Sequence, residues 1–116
     1  MGLNRVILIG YVGEAPEMRY TAVETLARVR LATHEYRNKP NGEAVQRVEW
    51  HSVVFVGEAA QMAERLVKKG THLYVEGRLQ TSLHESATGE TRCITEVVAR
   101  TFEILDGEAV ESYPLH

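Results

Sequence analysis

Hydrophobic and polar residues alternate with a period of two along five runs of the chain, at roughly 4–12, 25–35, 45–56, 71–80 and 92–104. Each run is rich in β-branched or aromatic residues and is bounded by turn formers, which predicts five strands. One interval breaks the pattern. Between the third and fourth runs, Ala59, Met62, Ala63, Leu66 and Val67 recur at i, i+3, i+4, i+7 and i+8, the apolar stripe of an amphipathic helix. Lys68 and Lys69 suit the negative end of its dipole, and Gly70 suits its C′ position. Five strands with one α-helix between strands 3 and 4 predict an all-β chain: a five-stranded OB-fold barrel capped at one end by the helix.

Two polar segments separate successive strands where hairpins would reach away from such a barrel. They are Arg37-Asn38-Lys39-Pro40-Asn41-Gly42 and Glu85-Ser86-Ala87-Thr88-Gly89-Glu90, and Asn41-Gly42 is a strong turn signal. In the third run, Val48-Glu49-Trp50-His51-Ser52-Val53-Val54-Phe55-Val56-Gly57, alternation puts Trp50, the only tryptophan, on one face with Ser52, Val54 and Val56. A lone indole so placed is either a core anchor or a stacking platform for a base. Arg28 and Arg30, two apart on a strand, project from one face, and Arg37 and Lys39 follow in the loop. These four cations form either a local basic track or an ordinary solvated strand face. The face of strands two and three in an OB barrel holds extended oligonucleotides or oligosaccharides. Candidate binding residues are therefore Arg28, Arg30, Tyr36, Arg37, Lys39, Trp50, Ser52 and Val56, with the last hairpin.

Composition narrows the function classes. With 116 residues, 44% of them hydrophobic, the chain fits one domain with a single core. No apolar run is long enough to cross a bilayer, and no export or lipidation signal is visible, so a cytoplasmic location without a membrane partner is expected. The net charge of −3 is unfavourable for a polyanion partner, which makes the placement of the cations more important than their sum. Cys93 has no second cysteine to pair with and reads as a small buried apolar residue. The histidines (His34, His51, His72, His84 and His116) have no metal-ligand spacing, and neither a phosphate-binding Gly-rich loop nor a Gly-x-Ser-x-Gly elbow is present. No metal, no cofactor and no enzymatic role is expected.

Further segments carry a resemblance. Asn4-Arg5-Val6-Ile7-Leu8-Ile9-Gly10-Tyr11-Val12-Gly13 opens the chain, followed by Pro16-Glu17-Met18-Arg19-Tyr20. Leu31-Ala32-Thr33, the Trp50 run, Lys69-Gly70-Thr71-His72-Leu73-Tyr74-Val75-Glu76-Gly77-Arg78-Leu79 and Thr95-Glu96-Val97-Val98 come after in order. From about Leu3 to Leu105 this order and spacing resemble a bacterial single-stranded DNA-binding protein.

The resemblance implies a homotetramer of OB-folds that binds single-stranded DNA without sequence preference, for replication, recombination and repair. By position it makes Tyr36 and Trp50 stacking platforms, puts Val56 where the family has a phenylalanine, and puts His84 where it has a tryptophan. Arg5 and Arg19 match basic positions of the family, whereas Ser52, Gln80, Ser82 and Leu83 stand where Arg or Lys is common. His51, His72 and Tyr74 match positions that pack subunits together. Residues 1–105 would be the binding domain and 106–116 a short flexible tail, whose Glu108 to His116 stretch is either an unstructured or shortened end or a reduced form of the acidic tip that recruits replication and repair proteins. The resemblance leaves two further readings open. One is a divergent paralogue or primosome-type OB module that works mainly through protein–protein contacts with weak nucleic-acid binding, and the other is an RNA or oligosaccharide binder on the same face.

Overall fold

β-Branched and aromatic residues favour the pleated, half-buried surface of a sheet, and where they alternate with polar residues the chain forms strands. The computed structural model describes residues 1–105 and contains β1 (Val6–Val12), β2 (Glu17–Tyr20), β3 (Thr25–Asn38), β4 (Ala44–Val56), α1 (Glu58–Leu66), β5 (His72–Glu85) and β6 (Thr91–Ile104). The sheet order is β1-β5-β6-β4-β3-β2, and a further pairing of β1 with β3 closes five of the strands into a barrel. All pairings are antiparallel except that of β4 with β6, where Val53 faces Val97 and Val54 faces Val98. This closed mixed barrel is the expected OB-fold. The helix expected between the third and fourth predicted strands lies between β4 and β5, because the short β2 adds one to the count.

The core follows the alternation. Ala27, Val29 and Leu31 of β3, Val53 and Phe55 of β4, Leu73 and Val75 of β5 and Val97 of β6 are buried together. Phe55 meets Phe102 edge to face, with ring centroids 5.0 Å apart, a favoured aromatic geometry. At the closure, a β-carbon on Gly10 would lie 2.1 Å from the Ala32 carbonyl oxygen, so only glycine lets β1 approach β3 there.

α1 differs from expectation in detail. Its buried side chains are Ala60 and Ala63, continued by buried Val67, while Met62 and Leu66 are exposed. Alanines let the helix sit close against the barrel end, which turns the larger apolar side chains outward. The helix ends at Val67, which is extended, and so Gly70 does not occupy the C′ position. Gly70 instead forms a turn at φ 89°, and its N–H donates to the Val12 carbonyl at 2.8 Å. Lys68 donates its N–H to the Thr71 hydroxyl, closing that turn.

β3 and β4 run on as a long hairpin beyond the barrel, paired from Leu26–Val56 out to Asn38–Ala44. β5 and β6 form a second arm, paired out to Glu85–Thr91, with a register shift at Glu76/Gly77. Cys93 lies on this second arm and is exposed, against the expectation of burial. The arm extends past the layers that would cover it. The expectations for Glu108 to His116 fall outside the described residues.

Candidate nucleic-acid interface

Strand pairing puts the candidate residues on one surface. Across β3 and β4, Arg28 pairs with Val54, Arg30 with Ser52 and Ala32 with Trp50, so all six side chains share a face. Across β5 and β6, Gln80 pairs with Glu96, Ser82 with Ile94 and His84 with Arg92. Val54 also lies beside Val98 in the parallel ladder. The outward faces of the two arms therefore form one continuous even-numbered surface.

Two adjoining grooves cross that surface. One, of about 540 Å³, is lined by Trp50, Ser52, Arg28, Arg30, His84 and Ile94, with Glu14, Ala15, Glu17 and Thr95. The other, of about 500 Å³, holds Arg19, Val56, Arg78, Gln80, Leu83 and Glu96, and shares Glu17, Arg28 and His84 with the first. Trp50, Arg28, Arg30, Arg19, Val56 and His84, which lie far apart in sequence, are thus gathered on one candidate surface. Its walls also carry Glu14, Glu17, Glu24 and Glu96, so the charge is mixed.

Trp50 is half exposed, at 50%, and so is not a core anchor. The Arg30 guanidinium carbon lies 5.6 Å from its ring centroid, a cation–π contact that leaves the charge in the groove. A β-carbon on Gly13 would come within 2.6 Å of Trp50 Cζ3, so the bare backbone of Gly13 makes room for the ring edge. Tyr36, 76% exposed, lies on the same face of β3, four residues beyond the partner of Trp50 and about 13 Å farther along the arm.

Lys39 lies at the arm's tip; Arg37, expected in the loop, is instead the second-last residue of β3, on the face opposite Tyr36, because the ladder continues to Asn38. Together with Arg47 they border a shallow depression of about 380 Å³ around Asn38, Pro40, Val45 and Gln46. Lys39 is within 3.9 Å of Glu43, an exposed i,i+4 pair of small energetic weight. Arg47 gives no signal along the sequence because it lies past the turn, on the returning strand. Its register with Glu35, two residues before Arg37, is what brings it to the tip.

Other cations are engaged by acids. Arg28 donates to Glu96 from Nε at 3.3 Å and from Nη2 at 3.1 Å. Arg5 donates to Glu76 at 3.1 Å and lines neither groove, but a neighbouring depression with Arg100 that shares Arg78 and Val98 with the 500 Å³ groove. That contact holds the Glu76 carboxyl below its ordinary range. His84 turns its Nε2 into a buried position with no hydrogen-bond partner among the described residues.

The residues expected at subunit contacts divide between two places. His72 and Tyr74 lie on β5 opposite the exposed Tyr11 and Ile9 of β1, and Tyr11 stacks on His72 with centroids 4.5 Å apart. The Tyr74 hydroxyl donates to Glu76 at 3.2 Å, and its phenol is raised above its ordinary range, first by burial and then by that bond. His51 lies on the face of β4 opposite to Trp50, where its Nε2 is 2.9 Å from the Thr33 hydroxyl.

Comparison with known proteins agrees with the fold. The Plasmodium falciparum SSB in complex with ssDNA superposes with a TM-score of 0.81 at 26% identity, over 91% of this chain and 97% of that one. A deletion variant of the single-stranded DNA-binding protein from Thermus aquaticus gives a TM-score of 0.79 at 31% identity, over 91% of this chain. The match spans 52%, about half, of the Thermus chain. Residues 3–105 match the Single-strand binding protein family. The chain belongs to that family.

Proposed function

We propose that this protein binds single-stranded DNA without sequence preference, with the strand running along the even-numbered surface of the two arms. The observation that carries this reading is the half-exposed Trp50 ring on a groove wall beside Arg30, with the exposed Tyr36 farther along the same face. Every base has a π-face, so stacking on Trp50 and Tyr36 is tolerant of sequence; phosphates are met by Arg30 on that face, by Lys39 at the tip and, around the end of the arm, by Arg37, which lies on the opposite face of β3 from Tyr36. Arg19 and Arg28 border the groove, His84 is an auxiliary platform, and Val56 offers an apolar edge where a ring is absent. Arg5, paired with Glu76 in the depression next to the groove, is a weaker phosphate candidate. Family membership and the likeness to the Plasmodium protein, whose structure holds ssDNA, support the same reading.

In this reading the protein covers strands exposed during replication, recombination and repair and has no catalytic task. It acts as a homo-oligomer, a tetramer by resemblance, in the cytoplasm. His72 and Tyr74, beside the exposed Ile9 and Tyr11, fit a subunit contact, and His51 would contribute from β4. Light scattering on the eluted protein tests the tetramer, and a monomeric mass would refute it.

Binding is tested by mobility shift with oligo(dT) across a salt series. Log K should fall linearly with log salt, with a slope of about −0.7 per phosphate contacted. The engagement of Arg28, Arg5 and Lys39 by acids favours a second reading, a module that works mainly through protein partners. Flat, weak binding across the same series would select it.

A further inference from the structure

A chain of hydrogen bonds crosses the floor of the 500 Å³ groove. Arg78 donates to Gln80 Oε1 at 3.1 Å, Gln80 donates to Ser82 Oγ at 3.2 Å, and Ser82 donates to Glu96 Oε1 at 2.9 Å. From the other side, Arg28 donates twice to Glu96 Oε2. Glu96 is 3% exposed, whereas the Arg28 side chain keeps 31% of its surface open. The carboxylate is thus fixed by three donors, and the guanidinium reaches both the fixed acid and the grooves.

A buried carboxylate is stable only while paired, because losing its partner leaves an uncompensated charge away from water. A phosphate that enters the groove must therefore compete with Glu96 for Arg28, and the competing acid cannot turn away. Arg30 is different, since it lies over the Trp50 ring, which carries no charge.

We propose that Glu96 is a positioning residue that limits single-stranded DNA affinity by holding Arg28 out of phosphate contact. The inference rests on the groove being the DNA site. It implies that the chain carries more cations on its binding surface than it uses, with one charge kept in reserve by an internal partner.

The test is oligo(dT) binding over a salt series for the wild-type chain, Glu96→Gln and the paired variant Arg28→Met with Glu96→Met. Gln at position 96 keeps an acceptor for Ser82 but releases the Arg28 charge. Its binding should tighten ~2–5-fold near 0.1 M salt, and the log–log slope should steepen by about 0.7. The paired Met variant carries neither the acid nor the released cation and should show none of that gain or steepening, and replacing a buried pair by apolar residues is often neutral for folding. Should E96Q fail to fold, the paired variant decides alone. Unchanged or weaker binding by a folded E96Q overturns the inference, as does a paired variant whose slope becomes shallower by about 0.7. If the wild-type chain binds no oligo(dT), the DNA reading falls and takes the inference with it. Salt-sensitive wild-type binding with an unaltered E96Q removes the inference alone.

Discussion

The two arms of the molecule share a backbone plan and differ in chemistry. β3–β4 and β5–β6 are both long antiparallel hairpins that leave the barrel and end in a glycine-containing turn. From residue 36 to residue 47 the first arm carries Arg37, Lys39 and Arg47 against the single acid Glu43, with an aromatic at position 36. From residue 82 to residue 93 the second carries Arg92 against Glu85 and Glu90, and offers His84 and the exposed Leu83 in place of a large ring. The same scaffold therefore presents one arm suited to bases and phosphates and one that is weakly acidic. Binding strength should be concentrated on the first arm and on Trp50 at its root.

The largest effect should come from Trp50→Ala, which loses a stacked base and about 1–3 kcal/mol of binding. Leu83→Ala on the second arm should change affinity by less than about twofold, since an exposed aliphatic side chain gives no comparable platform. Equal losses for the two variants in a mobility-shift titration would erase the distinction between the arms. Next in size is the removal of charge from the first tip. Replacing Arg37, Lys39 and Arg47 together by Gln should make the log K–log salt slope shallower by about 2, whereas Arg92→Gln should alter it by less than about 1.

A gain of function probes the contrast from the other side. His84→Trp supplies the second arm with a larger π-surface in the groove beside Trp50, and should tighten oligo(dT) binding by about 1 kcal/mol. The smallest effect is expected from Gly13→Ala. The new methyl would meet Trp50 Cζ3 at 2.6 Å and displace the ring without removing it. Affinity should fall by less than about 1 kcal/mol, because the platform survives in a shifted position. A loss as great as that of Trp50→Ala would mean that the ring has a single productive orientation.

Much of this arrangement is legible in the amino-acid sequence. Alternation identifies five strands because each buries one face in a shared core, and that same alternation puts Trp50 with Ser52 and Arg28 with Arg30. β2 escapes the pattern because it is four residues long and largely exposed, so its alternation carries no apolar signal. The far ends of both arms read as loops for a related reason. Beyond the barrel the first arm has no buried face and the even-numbered face of the second is only half-buried and polar, so pairing there is held by the ladder rather than by hydrophobic pattern. Cys93 misleads in the opposite direction, since its strand-like neighbours suggest burial on an arm that has no covering layer.

The site is legible in its platforms and not in its couplings. Arg28 and Glu96 are 68 residues apart, and their contact exists only because β4 and β6 run parallel and bring β6 beside the β3–β4 pair. Gly13 belongs to a recognisable segment, but its closeness to the Trp50 ring follows from the three-dimensional closure of β1 onto β3. Pairings of this kind depend on register between distant strands, which residue patterns along one strand do not encode.

The binding mode turns on Trp50 as a base-stacking platform at the root of the first arm, and because it is the only tryptophan its fluorescence reports on that position alone. The decisive experiment is titration of the wild-type chain with oligo(dT) at low and moderate salt, following tryptophan emission alongside a mobility shift. A stacked Trp50 should give strong quenching that saturates with the mobility shift and weakens as salt is raised. A mobility shift without quenching, or no binding at either salt, would refute that role.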